Sequence, residues 1–168
     1  GGDAEVAEDV EGRLAAVAPG LLAPAGAGSF DWADQRGAAT FGELVQRGLE
    51  RELREECALQ PQHLVRTIVL GMSRQLARGG KPDFYGITLL HGQASALQPR
   101  IHAGEIGLVD HHDAIALSAR NPRELCEQIE EWLHRQREHC GSALLINLRM
   151  LINASEATHT AVLQHMGR

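Results

Sequence analysis

The sequence predicts an α+β fold, and three observations predict it. A helical apolar pattern at residues 43–57 precedes two apolar, strand-like runs at residues 63–72 and 83–91, which are joined by a glycine turn. Two further helical patterns follow at residues 121–138 and 142–154. These elements lack the regular β-α-β alternation of a doubly wound parallel sheet, which leaves an α+β arrangement or an α/β/α sandwich.

Residues 1–29 are rich in Ala, Gly and acidic side chains, and read as an N-terminal segment that is partly disordered or a short helix near 5–18. The folded domain is assigned to residues 30–168. In GAGSFDWADQRG, a glycine-rich connection carries Asp31, Asp34 and Trp32. Val45, Leu49, Leu53 and Cys57 recur every four residues and give the first helix its apolar stripe. HLVRTIVLGM (63–72) and DFYGITLLH (83–91) flank ARGGKP, a turn between antiparallel strands. Glu105–Asp110 and Ala114–Leu117 are short strand candidates. Asn121-Pro122 is a helix start, with an N-cap followed by proline at the first helical position. Leu125, Ile129, Trp132 and Leu133 share one stripe of the helix that follows. Trp132 is assigned to packing, or to the surface of a homodimer. Ser142 is placed as the cap of a last, buried helix, SALLINLRMLINA.

The 168 residues suffice for one domain with a proper core. Aromatics make up only 4% of them, so that core must come from Leu, Ile, Val and Ala. A net charge of −6 argues against binding a nucleic-acid scaffold, for lack of a basic stripe to neutralise phosphates. A phosphate-bearing small molecule stays open, because bound divalent cations invert the local field. Three cysteines, an odd number with no CxxC spacing, favour free thiols and a cytoplasmic setting. No run reaches membrane-spanning length, so no membrane is expected. The chain opens Gly-Gly rather than with Met, as a processed chain or a piece of a longer one would.

The densest chemistry lies in Arg51-Glu52-Leu53-Arg54-Glu55-Glu56. At about 100° per residue, Glu52, Glu55 and Glu56 fall on one helix face. Such crowding is tolerated on a solvated face, where Arg51 is an i, i+4 partner of Glu55, or where a cation sits. Gly48, one turn earlier, costs about 1 kcal/mol relative to alanine and implies close approach of a ligand or a backbone.

Residues 37–59 resemble the Nudix box, G-x5-E-x7-R-E-U-x-E-E-x-G-U with U aliphatic. Gly37, Glu43, Arg51, Glu52, Leu53, Glu55, Glu56 and Leu59 fall in register, and Ala58 replaces the family's helix-ending glycine. The resemblance implies a Nudix-like α/β/α sandwich with a mixed β-sheet. It also implies hydrolysis of a diphosphate linkage in a nucleoside diphosphate attached to another moiety. Mg²⁺ or Mn²⁺ would be the cofactor, with Glu52, Glu55 and Glu56 as metal ligands. Carboxylate oxygens are the donors such hard ions prefer, and the ion neutralises phosphate and activates water. Arg51 is implied to orient a glutamate rather than touch substrate, and Glu43 to support the loop or bind metal indirectly.

The general base lies within the box or on a later loop. Glu105 is the choice outside it, against an ordinary exposed glutamate. Gly37 is the substrate-facing glycine by spacing, although Gly26 and Gly28 also suit a turn that approaches phosphate. Trp32 is assigned to the ligand. Tyr85 or Phe84 is weighed as a base-stacking ring against a place in the core. His111-His112-Asp113 resembles part of an HD phosphohydrolase signature but sits between short strand candidates, where a polar turn is the better reading. The expected partner is a small nucleoside diphosphate derivative. A catalytically silent, nucleotide-sensing module is the alternative. A helical interaction domain is disfavoured by the strands at 63–91.

Overall fold

The computed structural model describes residues 21–26, 30–57, 59–76, 79–91 and 115–166. Helix α1 spans Phe41–Cys57. Strands β1 (Leu64–Gln75) and β2 (Lys81–Leu90) form an antiparallel pair. Helices α2 (Pro122–Gln136), α3 (Ser142–Ile152) and α4 (Glu156–Met166) follow. The class is mixed α+β, as expected. Among the described residues, however, the sheet has two antiparallel strands and is not mixed.

Local chemistry explains where α1 begins. Thr40 Oγ1 accepts the Glu43 N–H at 3.2 Å, and Glu43 Oε2 accepts the Ala39 N–H at 2.7 Å. Both satisfy donors that the first helical turn leaves orphaned. At the far end, the Leu59 N–H reaches back to the Arg54 carbonyl at 3.2 Å, a six-to-one closure across position 58.

The hairpin turns through Gly79 and Gly80, whose φ values of +68° and +76° favour residues without a Cβ. Thr67 faces Thr88, their hydroxyls 2.9 Å apart, and two register shifts interrupt β1. The hairpin packs between helices. On one side, Leu49 of α1 fills the space above Gly86, where a Cβ would lie 2.8 Å from Leu49 Cδ1. On the other, Met150 of α3 sits over Gly71, with its Sδ 3.1 Å from where a Cβ would be. Asn147 of α3 donates to the Gly86 carbonyl at 3.2 Å.

The core joins Leu125, Ile129 and Leu133 of α2 to Leu151 of α3, with Leu70 and Ile87 packed against it from the hairpin. Trp132 also packs there, as expected of its stripe.

Three expectations need correction. Ile115–Leu117 is not a strand: Leu117 and Ala119 pack on the core, and the Ser118 N–H goes to Gln128 Oε1 at 2.9 Å instead of a ladder. The alternation in this segment reflects packing of one side on helices. Ser142 is the first residue of α3 and not its cap. Gly141 holds that place, and its N–H bonds the Leu22 carbonyl at 2.8 Å. Nor is α3 the last helix, or buried throughout. Only Leu151 is buried, and α4 follows, started by Ser155 Oγ accepting the Thr158 N–H at 3.3 Å. Two imidazoles tie α4 down: His159 Nε2 donates to the Leu151 carbonyl at 2.7 Å, and His165 Nε2 to the Leu90 carbonyl at 2.6 Å.

The helix expected near 5–18, the strand candidate Glu105–Asp110, and Gly28, Glu105, Ala58 and His111-His112-Asp113 lie outside the described residues. No helix among the described residues is long and apolar enough to cross a membrane.

Candidate functional site

The site is organised around Arg51. Its Nε donates to Asp34 Oδ1 at 3.0 Å, and its Nη2 to Asp34 Oδ2 at 3.3 Å. The same Nη2 lies 2.9 Å from Glu52 Oε1, and Nη1 lies 3.1 Å from Glu55 Oε2. Three carboxylates therefore meet one guanidinium. Asp34 is the buried partner, its side chain 3% exposed, whereas Glu52 and Glu55 are 16% and 48% exposed. Arg51 thus contacts Glu52 and Glu55 as well as Asp34.

The electrostatics follow from this geometry. Burial alone would raise the Asp34 pKa. The hydrogen bond from Arg51, the Asp31 N–H and the Arg51 charge outweigh burial and hold it below its ordinary 3.8. The Asp34 bond, and secondarily Glu52, push Arg51 further up. Both shifts describe an ionised pair.

Glu56 takes a different partner. Its Oε2 accepts the Gly26 N–H at 2.6 Å. Gly26 has a φ of +75°, and a Cβ there would lie 2.9 Å from Leu53 Cα. Gly26 lies against α1, its amide directed at a glutamate. Gly37 has a φ of +76°, and its carbonyl accepts from Arg47 Nη2 at 2.7 Å; Arg47 Nη1 donates to the Arg36 carbonyl. With Glu43 bonding the Ala39 N–H, the 36–40 loop is clamped from α1 at two points.

Gly48 is explained differently from expectation. A Cβ there would overlap the Phe30 ring and lie 3.4 Å from Asp34 Oδ2. A side-chain ring makes the close approach, not a backbone. Phe30 in turn meets Phe84 with ring centroids 5.4 Å apart, and Phe84 meets Phe41 at 5.5 Å.

The remaining substrate-facing assignments separate. Trp32 is 81% exposed on the short helical turn Trp32–Gln35, open to solvent beside Asp34. Tyr85 is a core residue, buried, with its hydroxyl 3.2 Å from Ser73 Oγ. Its ring has no open face on which a base could stack. Sequence reasoning noted Asp34 only as a neighbour of Trp32. Its link to Arg51 spans 17 positions, and no local pattern announces it.

Glu52 and Glu55 already converge on a single cationic group, and their oxygens are hard donors. Among the described residues, no three His, Cys, Asp or Glu side chains gather into a preformed metal cage. A Mg²⁺ held by one or two carboxylates and by substrate phosphates needs no such cage.

Burial, aided by the Glu56 charge, pushes Cys57 up to about 11, and burial also raises Cys126 and Cys140. A cleft of about 900 Å³ between α2 and α3, crossed by the Arg149–Glu130 pair at 3.5 Å, contains no residue of the box.

Set against protein-family models, curated proteins and solved structures, the chain matches none of them.

Proposed function

We propose that the protein is a divalent-metal-dependent hydrolase of a diphosphate linkage in a nucleoside diphosphate attached to another moiety. The observation that carries this reading is the register of Gly37, Glu43, Arg51, Glu52, Glu55 and Glu56 on α1 and the loop before it. The placement of Glu52, Glu55 and Glu56 within one turn of α1 supports it.

Glu52 and Glu55 would hold Mg²⁺ or Mn²⁺, with Glu56 beside them. When bound, the ion supplies charge neutralisation at phosphate and activation of the attacking water. The chain's own residues have distinct tasks. Arg51 orients Glu52 and Glu55, the Gly26 amide orients Glu56, and Arg47 with Glu43 holds the Gly37 loop in place. Trp32 is the exposed ring available to an organic group of the substrate. Glu105 stands as the proposed general base from outside the box.

A panel of ADP-ribose, dinucleoside polyphosphates, nucleotide sugars and nucleoside triphosphates with Mg²⁺ tests the reading through the phosphomonoester or pyrophosphate products of cleavage. Turnover on at least one class is expected. Glu55→Gln and Glu56→Gln should each abolish it while the circular dichroism spectrum is retained. Unchanged turnover in either variant would remove that residue from the site.

A second reading, a catalytically silent nucleotide-sensing module, has one observation in its favour. Glu52 and Glu55 are engaged by Arg51 and Glu56 by Gly26, without a three-residue cage among the described residues. Tight nucleotide binding with no turnover across the panel would select it.

A further inference from the structure

We propose that Asp34, which lies outside the box, is a positioning residue that sets the orientation of Arg51 and, through it, of Glu52 and Glu55. The consequence for activity rests on the hydrolase reading. The placement rests on geometry alone.

Asp34 is held from three directions: the Asp31 N–H at 2.8 Å, Arg51 Nε at 3.0 Å and Arg51 Nη2 at 3.3 Å. A guanidinium is a rigid planar fork, so fixing its Nε–Nη2 edge fixes the plane. From that plane, Nη2 lies 2.9 Å from Glu52 Oε1 and Nη1 lies 3.1 Å from Glu55 Oε2. One buried carboxylate thereby determines where two more exposed ones are held.

Stability alone is a poor reason for such a pair. Buried ion pairs are often replaceable by apolar side chains without loss, because desolvation cancels most of the attraction. What the ionic pair adds is direction. The surroundings are built to seat it. Gly48, three residues before Arg51, carries no side chain, and the Phe30 ring occupies the space that a Cβ would take, with Asp34 Oδ2 at contact distance beside it. The turn bearing Asp34 is closed by Asp31 Oδ1 accepting the Ala33 N–H at 2.7 Å.

The test follows the Arg51 Nε–H in nitrogen-edited spectra of the full 168-residue chain, assigned by its loss in Arg51→Lys. In the wild type this proton should exchange slowly. Asp34→Asn, which keeps the volume, should speed exchange about tenfold, the equivalent of one charge-assisted hydrogen bond. Glu52→Gln and Glu55→Gln should leave it slow. If Asp34→Asn fails to fold, Gly48→Ala changes no charge, displaces the same segment, and should deprotect Arg51 in the same way. Protection unchanged by Asp34→Asn, or lost equally in Glu55→Gln, would overturn the proposal.

A second arm uses Mn²⁺ alone, followed by electron paramagnetic resonance. Asp34→Asn should weaken Mn²⁺ binding about tenfold, and should add nothing in an Arg51→Gln background. A full further loss in that background means that Asp34 does not act through Arg51, and sinks the idea. If the wild type binds no Mn²⁺, the hydrolase reading falls, while the exchange measurement still decides the role of Asp34.

Discussion

Two residues outside α1 control what its carboxylates can do, and each yields a measurable expectation. Gly26 combines a φ of +75° with backbone contact against Leu53. A side chain there meets both the left-handed penalty and an overpacked contact, so Gly26→Ala should cost about 3 kcal/mol in urea unfolding. A loss near zero would mean that this turn is not seated on the helix. Asp34 makes the second case. Its folded pKa lies below 3.8, so the unfolded chain takes up its proton more readily than the folded one. The stabilisation is complete above the ordinary carboxylate value and fades as pH falls through the lower folded one. Asp34→Asn should flatten that part of the acid limb of stability against pH, and superimposable limbs would contradict the ionised pair. Neither residue belongs to a sequence pattern. Gly26 and Glu56 are 30 positions apart, and Asp34 and Arg51 are 17.

At the scale of elements, α1 is the most legible part of the chain. Its apolar period, its box glutamates and its extent were readable locally, apart from its start at Phe41 rather than Glu43. The cap explains the difference: Thr40 and Glu43 together satisfy the first-turn donors. Thr40→Ala should therefore cost about 1 kcal/mol, read as a lower thermal midpoint. An unchanged midpoint would assign the start of the helix to packing alone. The hairpin was legible for similar reasons, a glycine pair between β-branched runs. Elsewhere local pattern misled. Ile115–Leu117 alternates because one side lies on the core, not because it pairs with a strand. Helix α4 escaped notice because its apolar face is weak; Val162 and Leu163 pack it on the core, and two histidines reach carbonyls in α3 and β2.

Across the whole molecule, the hairpin lies between α1 and α3, and the buried core gathers on the side of α2, α3 and α4. Leu125 is fully buried in that core. Leu125→Ala should cost about 3 kcal/mol by the transfer and cavity terms together, measured as a lower urea midpoint. A change below about 1 kcal/mol would mean that the core relaxes around the gap. This core is distant in sequence from the box, and the hairpin lies between it and α1.

The sequence by itself determined the α+β class, α1 with its one-sided carboxylates, the hairpin, and the helix starting at Asn121. Each of these is encoded by residues within a few positions of one another, through periodicity, capping or turn chemistry. Tertiary structure alone decided that Asp34 holds Arg51, that Gly26 holds Glu56, that Phe30 covers Gly48, and that Tyr85 belongs to the core. Those are contacts between distant segments. They depend on which surfaces are brought together, and helical or strand periodicity carries no record of that.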